Sequence, residues 1–310
     1  MLQAGILENV LGLLRSSSPN APSNLDVLVH KLSEMGMFVA PFVLDPQFLS
    51  WPVQRQRVWI FYIPRRLLRG MNDEAAWQLA VETVDLLMAQ GQPVSLDSLL
   101  LAEDDAAVKQ QREAYQRDAA RLARALRYDV DWGRLHERYC KKHRIDWHGV
   151  GGAFDPGLVE LFPALAVLTT REAELLKLKV GQLRTQAPGT CEVTQNVERS
   201  RHKVNGSGCI TPTMKLILTR RVREALGIEA MRTQSLRYGK DHSKLRTMSS
   251  PLLRSLAGNA LHAYCCAVTF MTSLAVLARG WPQSQGQAAG AAAAGEEPAD
   301  SDLDELWGMS

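Results

Sequence analysis

The stretch Gly36–Ile63, GMFVAPFVLDPQFLSWPVQRQRVWIFYI, decides the fold. Its two apolar runs, MFVAPFVL and VWIFYIP, are strand-like, rich in aromatic and β-branched residues, and the second stops at Pro64. The link between them, DPQFLSWP, reads as a loop. Upstream, Asn24–Met35 (NLDVLVHKLSEM) places apolar residues at helical spacing after an Asn cap and before the Gly36 stop, which predicts a helix. Earlier still, ILENVLGLL at Ile6–Leu14 begins as an apolar run ending in an acid and an amide. That is the pattern of a buried strand delivering polar side chains to the carboxyl edge of a sheet. Strand, helix, strand, loop, strand is α/β grammar.

From Asn72 the grammar changes. NDEAAWQLAVETVDLLMAQG is a capped helix with a glycine stop, Asp104–Leu126 is a long amphipathic one, and TTREAELLKLKVGQL begins another at Thr169 or Thr170. Residues 65–205 therefore read as a mostly helical insertion between the sheet segment at 1–64 and a closing segment at 206–280. Residues 281–310 are Gln/Gly/Ala-rich and then acidic, with too little apolar content to fold alone, and read as a disordered tail.

At 310 residues and 46% hydrophobic content the chain can bury a sizeable core. Five scattered cysteines without a CxxC pair argue against a secreted disulfide framework, so the expectation is an intracellular, reducing compartment, the nucleus in particular. Charge is unevenly placed: Arg199–Arg254 carries thirteen Lys/Arg against Glu224, Glu229 and Asp241, a balance that suits a polyanion. Met1–Leu14 lacks a basic leading region and carries Glu8, and is not read as a signal peptide. Ser255–Ala278 is free of charge but holds Gly258, Asn259 and His262, and is read as a buried helix with no membrane partner.

In order along the chain stand ILENV, PVQRQRV, a long insertion, RVREALGIEAMRTQS and LAGNALHAYCC. This order resembles the second half of a cytosine-5 DNA methyltransferase, whose Glu-Asn-Val, Pro-Gln-x-Arg-x-Arg-Val, Arg-x-Leu-Thr-Pro-Arg-Glu and Gly-Asn-(Ser/Ala) motifs follow one another around a variable target recognition domain. The resemblance covers about residues 1–64 and 206–275. It implies an α/β, incomplete Rossmann-like fold that depends on S-adenosylmethionine, with the helical insertion as target recognition domain.

In that chemistry a cysteine thiolate adds to C6 of a flipped-out cytosine and the methyl group passes to C5. The resemblance assigns Glu8 to the carboxyl group that holds N3, and Arg55 and Arg57 to the positive field around the base. At i and i+2 the two arginines share one face if both lie on a strand. Val53 replaces the usual glutamine. Asn259 and Ala260 fall on the cofactor side, and Arg223 and Arg232 on the DNA side. Glu229 aligns with the acid of the third motif, and LTTREAELL at Leu168, closer in text, lies too far from Gly258.

The family's Phe-x-Gly-x-Gly loop and Pro-Cys nucleophile precede Glu-Asn-Val, and no proline here is followed by cysteine. The expectation is therefore a C-terminal part, inactive alone, with an incomplete cofactor site and DNA as partner. It fits half of a split enzyme whose partner chain carries the missing half, or a catalytically dead DNA-binding or regulatory module. An RNA-directed relative has no supporting motif. His136, Cys140 and His143 share a helix face with His148 beyond, a spacing that zinc could use, but a basic helix face is preferred and no metal is assigned.

Overall fold

The structure, a computed structural model, describes residues 3–122, 132–146, 154–180, 188–236, 245 and 247–279, without the side chains of 118–122. The tail at 281–310 and His148 lie outside the described residues.

The first sheet holds β1 (Gly5–Asn9), β2 (Met37–Leu44) and β3 (Arg57–Pro64) in the order β1-β3-β2, with antiparallel neighbours. Consequently β1 and β2 run parallel, joined by α1 (Asn24–Glu34), which packs on β2. The strand bounds match the apolar runs of the sequence. β3 is central, and its apolar residues are buried on both faces, from Val58 and Ile60 to Trp59, Phe61 and Ile63. β2 is an edge, which tolerates Pro41 opposite Ile60. The helix cap differs from expectation: Ser23, not Asn24, caps α1, and Asp26 returns a bond to the Ser23 N–H at 2.8 Å to close a capping box.

Two helices cover one sheet face, α2 (Asp73–Ala89) and the last helix of the described chain, which begins at Ala263. Ala76, Ala80 and Val276 meet Phe38, Ala40, Phe61 and Ile63 there. Residue 65 is thus no layer boundary, because α2 belongs to the first sheet. Beyond it come α3 (Leu96–Leu99), α4 (Ala106–Leu122), α5 (Trp132–His143), α6 (Pro156–Leu161) and α7 (Thr170–Val180), as the helical grammar requires.

A second, small sheet was not anticipated. β4 (Gly189–Glu192), β5 (His202–Val204), β6 (Leu216–Leu218) and β7 (Arg223–Glu224) form the antiparallel order β5-β4-β6-β7, so it crosses the expected boundary at 205. Leu175 and Leu176 of α7 pack with Cys191 and Ile217 beneath it. The described residues end with α8 (Gly227–Thr233), α9 (Ser250–Asn259) and α10 (Ala263–Arg279). By length and composition Ser250–Arg279 could cross a membrane, yet it breaks at 260–262 into two helices.

The two sheets are laced together by backbone. Ser207 N–H donates to the Pro52 carbonyl at 2.7 Å, Gln54 N–H to the Ser207 carbonyl at 2.9 Å, and Trp51 Nε1 to the Thr233 carbonyl at 3.0 Å. α9 lies close enough to this junction that a Cβ on Gly258 would sit 2.3 Å from the backbone nitrogen of Pro212. Gly258→Ala is therefore expected to lower stability by about 1–3 kcal/mol through overpacking. Urea unfolding reads this as a lower midpoint at unchanged slope; an unchanged midpoint contradicts the close packing.

Candidate functional site

The loop between β2 and β3 carries the site, and Asp45 holds its shape. Asp45 is buried, and its Oδ1 accepts the Gln47 N–H at 3.1 Å and the Arg55 N–H at 3.2 Å, closing the loop on itself. Arg57 opens β3, whereas Arg55 stands two residues before it in the loop, so the two do not share a strand face as expected. Their guanidiniums nevertheless converge: Arg55 Nη1 and Arg57 Nη2 each approach Cys209 Sγ at 3.7 Å.

Glu8 reaches the same place through sheet register. It pairs with Trp59 across β1 and β3, which makes Arg57 its diagonal neighbour on the same face. Arg57 Nε lies 3.1 Å from Glu8 Oε1, with both side chains mostly buried. Arg55 is buried more deeply, at 6% exposure. It donates to the carbonyls of Ile210 at 3.2 Å, Ala260 at 3.0 Å and Gly258 at 3.4 Å. Burial, and then the charge of Arg57, pull the Arg55 pKa below its ordinary value.

Around the two arginines opens a pocket of about 400 Å³, bounded on the far side by Arg199, Arg201 and Glu192 of the second sheet region. Arg199, Arg201 and Cys209 are exposed. Sequence reasoning did not place these three at the site. Only the backbone lacing of residues 52–54 to 207 brings them there, and no local motif announces it.

The remaining expected residues lie elsewhere. Arg223 turns inward, 6% exposed, in a bidentate pair with Glu229 at 2.7 and 2.8 Å and a further contact to Glu103 at 3.0 Å. Burial alone would lower its pKa, but the bonds from Glu229 and Glu103 outweigh this and raise it. Glu229, fully buried, also accepts the Leu226 and Leu101 N–H groups, each at 2.8 Å. The pair is a structural clamp that commits the Arg223 guanidinium to Glu229, away from the Arg55/Arg57 pocket. Arg232 lines a different pocket, of about 610 Å³, between α4 and α8.

The basic stretch is less free than its composition suggests. Lys215 pairs with Glu172, Arg220 and Arg221 with Asp97, Arg223 with Glu229, and Arg254 with Glu224. Among the described residues five of its cations are thus paired, Arg220 at the surface and the other four largely buried.

Asn259 and Ala260 do not form a cofactor cradle by themselves. Asn259 is exposed, the Ala260 carbonyl is taken by Arg55, and the face of Gly258 is filled by Pro212. Among the described residues no group of three His, Cys, Asp or Glu could hold a metal ion. His136 Nδ1 instead lies 3.2 Å from Glu174 Oε2 in the interior, and the His143 ring sits 4.2 Å from that of Tyr139.

No protein-family model matches the chain, and no curated protein does. Among solved structures it is similar to the Schizosaccharomyces pombe Dnmt2 methyltransferase. That pair is 12% identical, with a TM-score of 0.41, over 90% of this chain and 68% of the other. A mutant of Spodoptera frugiperda DNMT2 is 14% identical, with a TM-score of 0.36, over 89% of this chain and 66% of that one. The chain thus spans about two thirds of each. A likeness at these scores leaves the functional conclusion to the geometry of the site.

Behind Arg55 lies His262, 1% exposed, with neither ring nitrogen hydrogen-bonded among the described residues and its ring 5.7 Å from that of Trp51. Burial, reinforced by the Arg55 charge, depresses its pKa from 6.5 to about 3. A depressed histidine is neutral when folded and protonates when unfolded. Its stability contribution is therefore complete above the unfolded value of 6.5 and falls away as pH drops toward about 3. The loss is at most about 1.4 kcal/mol per pH unit. His262→Phe is expected to flatten the decline in thermal stability over this window relative to the native chain. Parallel pH profiles for the two would overturn the assignment.

Proposed function

We propose that the chain is a cytosine-5 methyltransferase-like, nucleic-acid-binding protein, DNA being its expected partner, and that alone it transfers no methyl group. One observation carries this reading: Glu8, the Arg55/Arg57 pair and the Gly258–Ala260 segment, far apart in sequence, are joined through two guanidiniums. Those are the segments on which the motif resemblance rests. The arginine-lined pocket is about the size of one nucleotide unit rather than a duplex, so a base would have to leave its stack to enter it.

S-adenosylmethionine is the methyl donor the resemblance implies. Since Asn259 and Ala260 make no cradle, no step is assigned to this chain with that donor. The same observation favours a second reading, a regulatory module that binds nucleic acid without chemistry. Half of a split enzyme is the third, and for it the free edge of β1, with Leu7 and Val10 exposed, is where a partner chain would pair.

Two measurements test the proposal. Incubation with tritiated S-adenosylmethionine and cytosine-rich duplex DNA is expected to leave the DNA unlabelled; label that disappears in Arg57→Ala would overturn inactivity. Binding to DNA is expected to weaken steeply with salt. If the exposed Arg199 and Arg201 each meet a phosphate, log K falls against log salt with a slope of about −1.5 to −2. Affinity independent of salt, or unaffected by Arg199→Glu with Arg201→Glu, would refute this pocket as the footprint.

A further inference from the structure

The thiol of Cys209 is the one feature of the pocket that anion binding does not use. Among the five cysteines only Cys209 is exposed. Burial raises the pKa of Cys191 and Cys265 to about 12 and pushes Cys140 and Cys266 upward as well. These four are poor nucleophiles, because the thiolate is the attacking form.

Cys209 differs in surroundings as well as exposure. Two guanidiniums stand 3.7 Å from its sulfur, and one of them, on Arg55, is more than nine-tenths buried with its Nε lacking a hydrogen-bond partner among the described residues. Arg199 and Arg201 close the opposite side of the pocket. The single acid of the lining, Glu192, is already occupied: its Oε1 accepts the backbone N–H groups of Thr194 at 2.7 Å and Gln195 at 3.1 Å. Four cations against two engaged carboxylates, Glu192 and the Glu8 that pairs with Arg57, leave a net positive field that concentrates small anions at the sulfur.

We propose that this pocket is an anion-selective thiol site, in which Cys209 exchanges with a small disulfide that carries carboxylates. The Cys209 sulfur, its proton released to solvent, attacks one sulfur of the disulfide. The S–S bond breaks, a mixed disulfide forms on Cys209, and the departing thiolate takes up a proton from water. The disulfide itself is the oxidant, so the exchange balances without another reactant. Negative charge spreads over three sulfurs during transfer, and the guanidiniums of Arg55 and Arg57 lie where that charge develops. The incoming carboxylates pair with Arg199 and Arg201 in the bidentate geometry that guanidinium favours. This inference goes beyond the methyltransferase-like reading and does not require it. It adds the consequence that a mixed disulfide fills the pocket against any longer polyanion.

The test uses the reduced full chain without nucleic acid, so its outcome is separate from that of DNA binding. Reaction rates are measured with dianionic dithiobis(nitrobenzoate) and dicationic cystamine, each divided by its rate with a neutral model thiol, and the adduct is located by mass spectrometry. The normalised preference for the anion is expected to be about tenfold or more at low salt and to shrink as salt rises. Arg199→Ala with Arg201→Ala should remove most of it, and Cys209→Ser should abolish the fast reaction. Glutathione disulfide should place a glutathionyl adduct on the same residue, Cys209. A normalised ratio near one, a preference untouched by the double arginine variant, or a fast adduct on Cys266 would each overturn the proposal.

Discussion

The Arg55 guanidinium is the tie on which the arrangement depends. α9 ends at Asn259, leaving its last carbonyls without intrahelical donors, the ordinary condition of a helix C-terminus. Arg55 supplies donors to two carbonyls there, those of Gly258 and Ala260, and places positive charge at the negative end of the helix dipole. A further bond, to Ile210, fastens the strand-connecting segment that carries Cys209. One side chain from the first sheet region thus fixes both later parts of the chain. Its burial is costly for a charge, and the carbonyls it gathers offset that cost. Removing it would strand acceptors in the interior, so its effect would spread well beyond the pocket it lines.

Charge is divided by depth in the same manner. Around α8, Arg223 and Glu229 form a closed pair to which the Leu101 and Leu226 backbone is bound. Such a pair is weak evidence for net stability, because desolvation opposes attraction, but it fixes position since few alternatives satisfy both partners. At the pocket the opposite holds. Arg57 has one carboxylate, Glu8, and Arg199 and Arg201 remain exposed, so positive charge there exceeds what the fold consumes. Among the described residues, several cations of the segment with the highest basic density are thus taken up by internal ion pairs, while Arg199 and Arg201 stay accessible beside the buried Arg55 and Arg57.

This explains which features were legible in the sequence. β2 was readable to the residue and β3 to within one, because a buried strand needs an unbroken apolar run and Pro64 ends the second one. α2 and α7 were readable from Asn72 and from Thr169 or Thr170 at their starts. Glu8 and Arg57 came together because they sit on neighbouring strands, where register sets geometry. Arg55 was assigned to a strand through its motif resemblance, whereas Asp45 holds it in a loop. Arg223 was assigned to the DNA side by motif resemblance, and the motif's text does not show that its own acid, Glu229, takes up the guanidinium. Cys209, Arg199 and Arg201 depend on pairing across more than 150 residues, which no local pattern encodes.

The apolar stretch after Arg254 shows how a polar contact can override composition. Read by hydropathy, Ser250–Arg279 is one helix of membrane-spanning length. The structure ends the helix at Asn259, and the carbonyl of Ala260 turns out to meet Arg55. Gln234 then receives the Ala263 N–H on its backbone carbonyl at 3.0 Å, which sets the start of α10. From there Val268 and Val276 face the first sheet, while Phe270, Met271 and Leu274 remain exposed on the other side. The break therefore does two things at once: it gives Arg55 a helix end to cap, and it redirects α10 across the face of β3. Continuous helix through 260–262 would forfeit both, because Arg55 would lose acceptors already engaged by the helix and α10 would leave Trp59 and Phe61 uncovered.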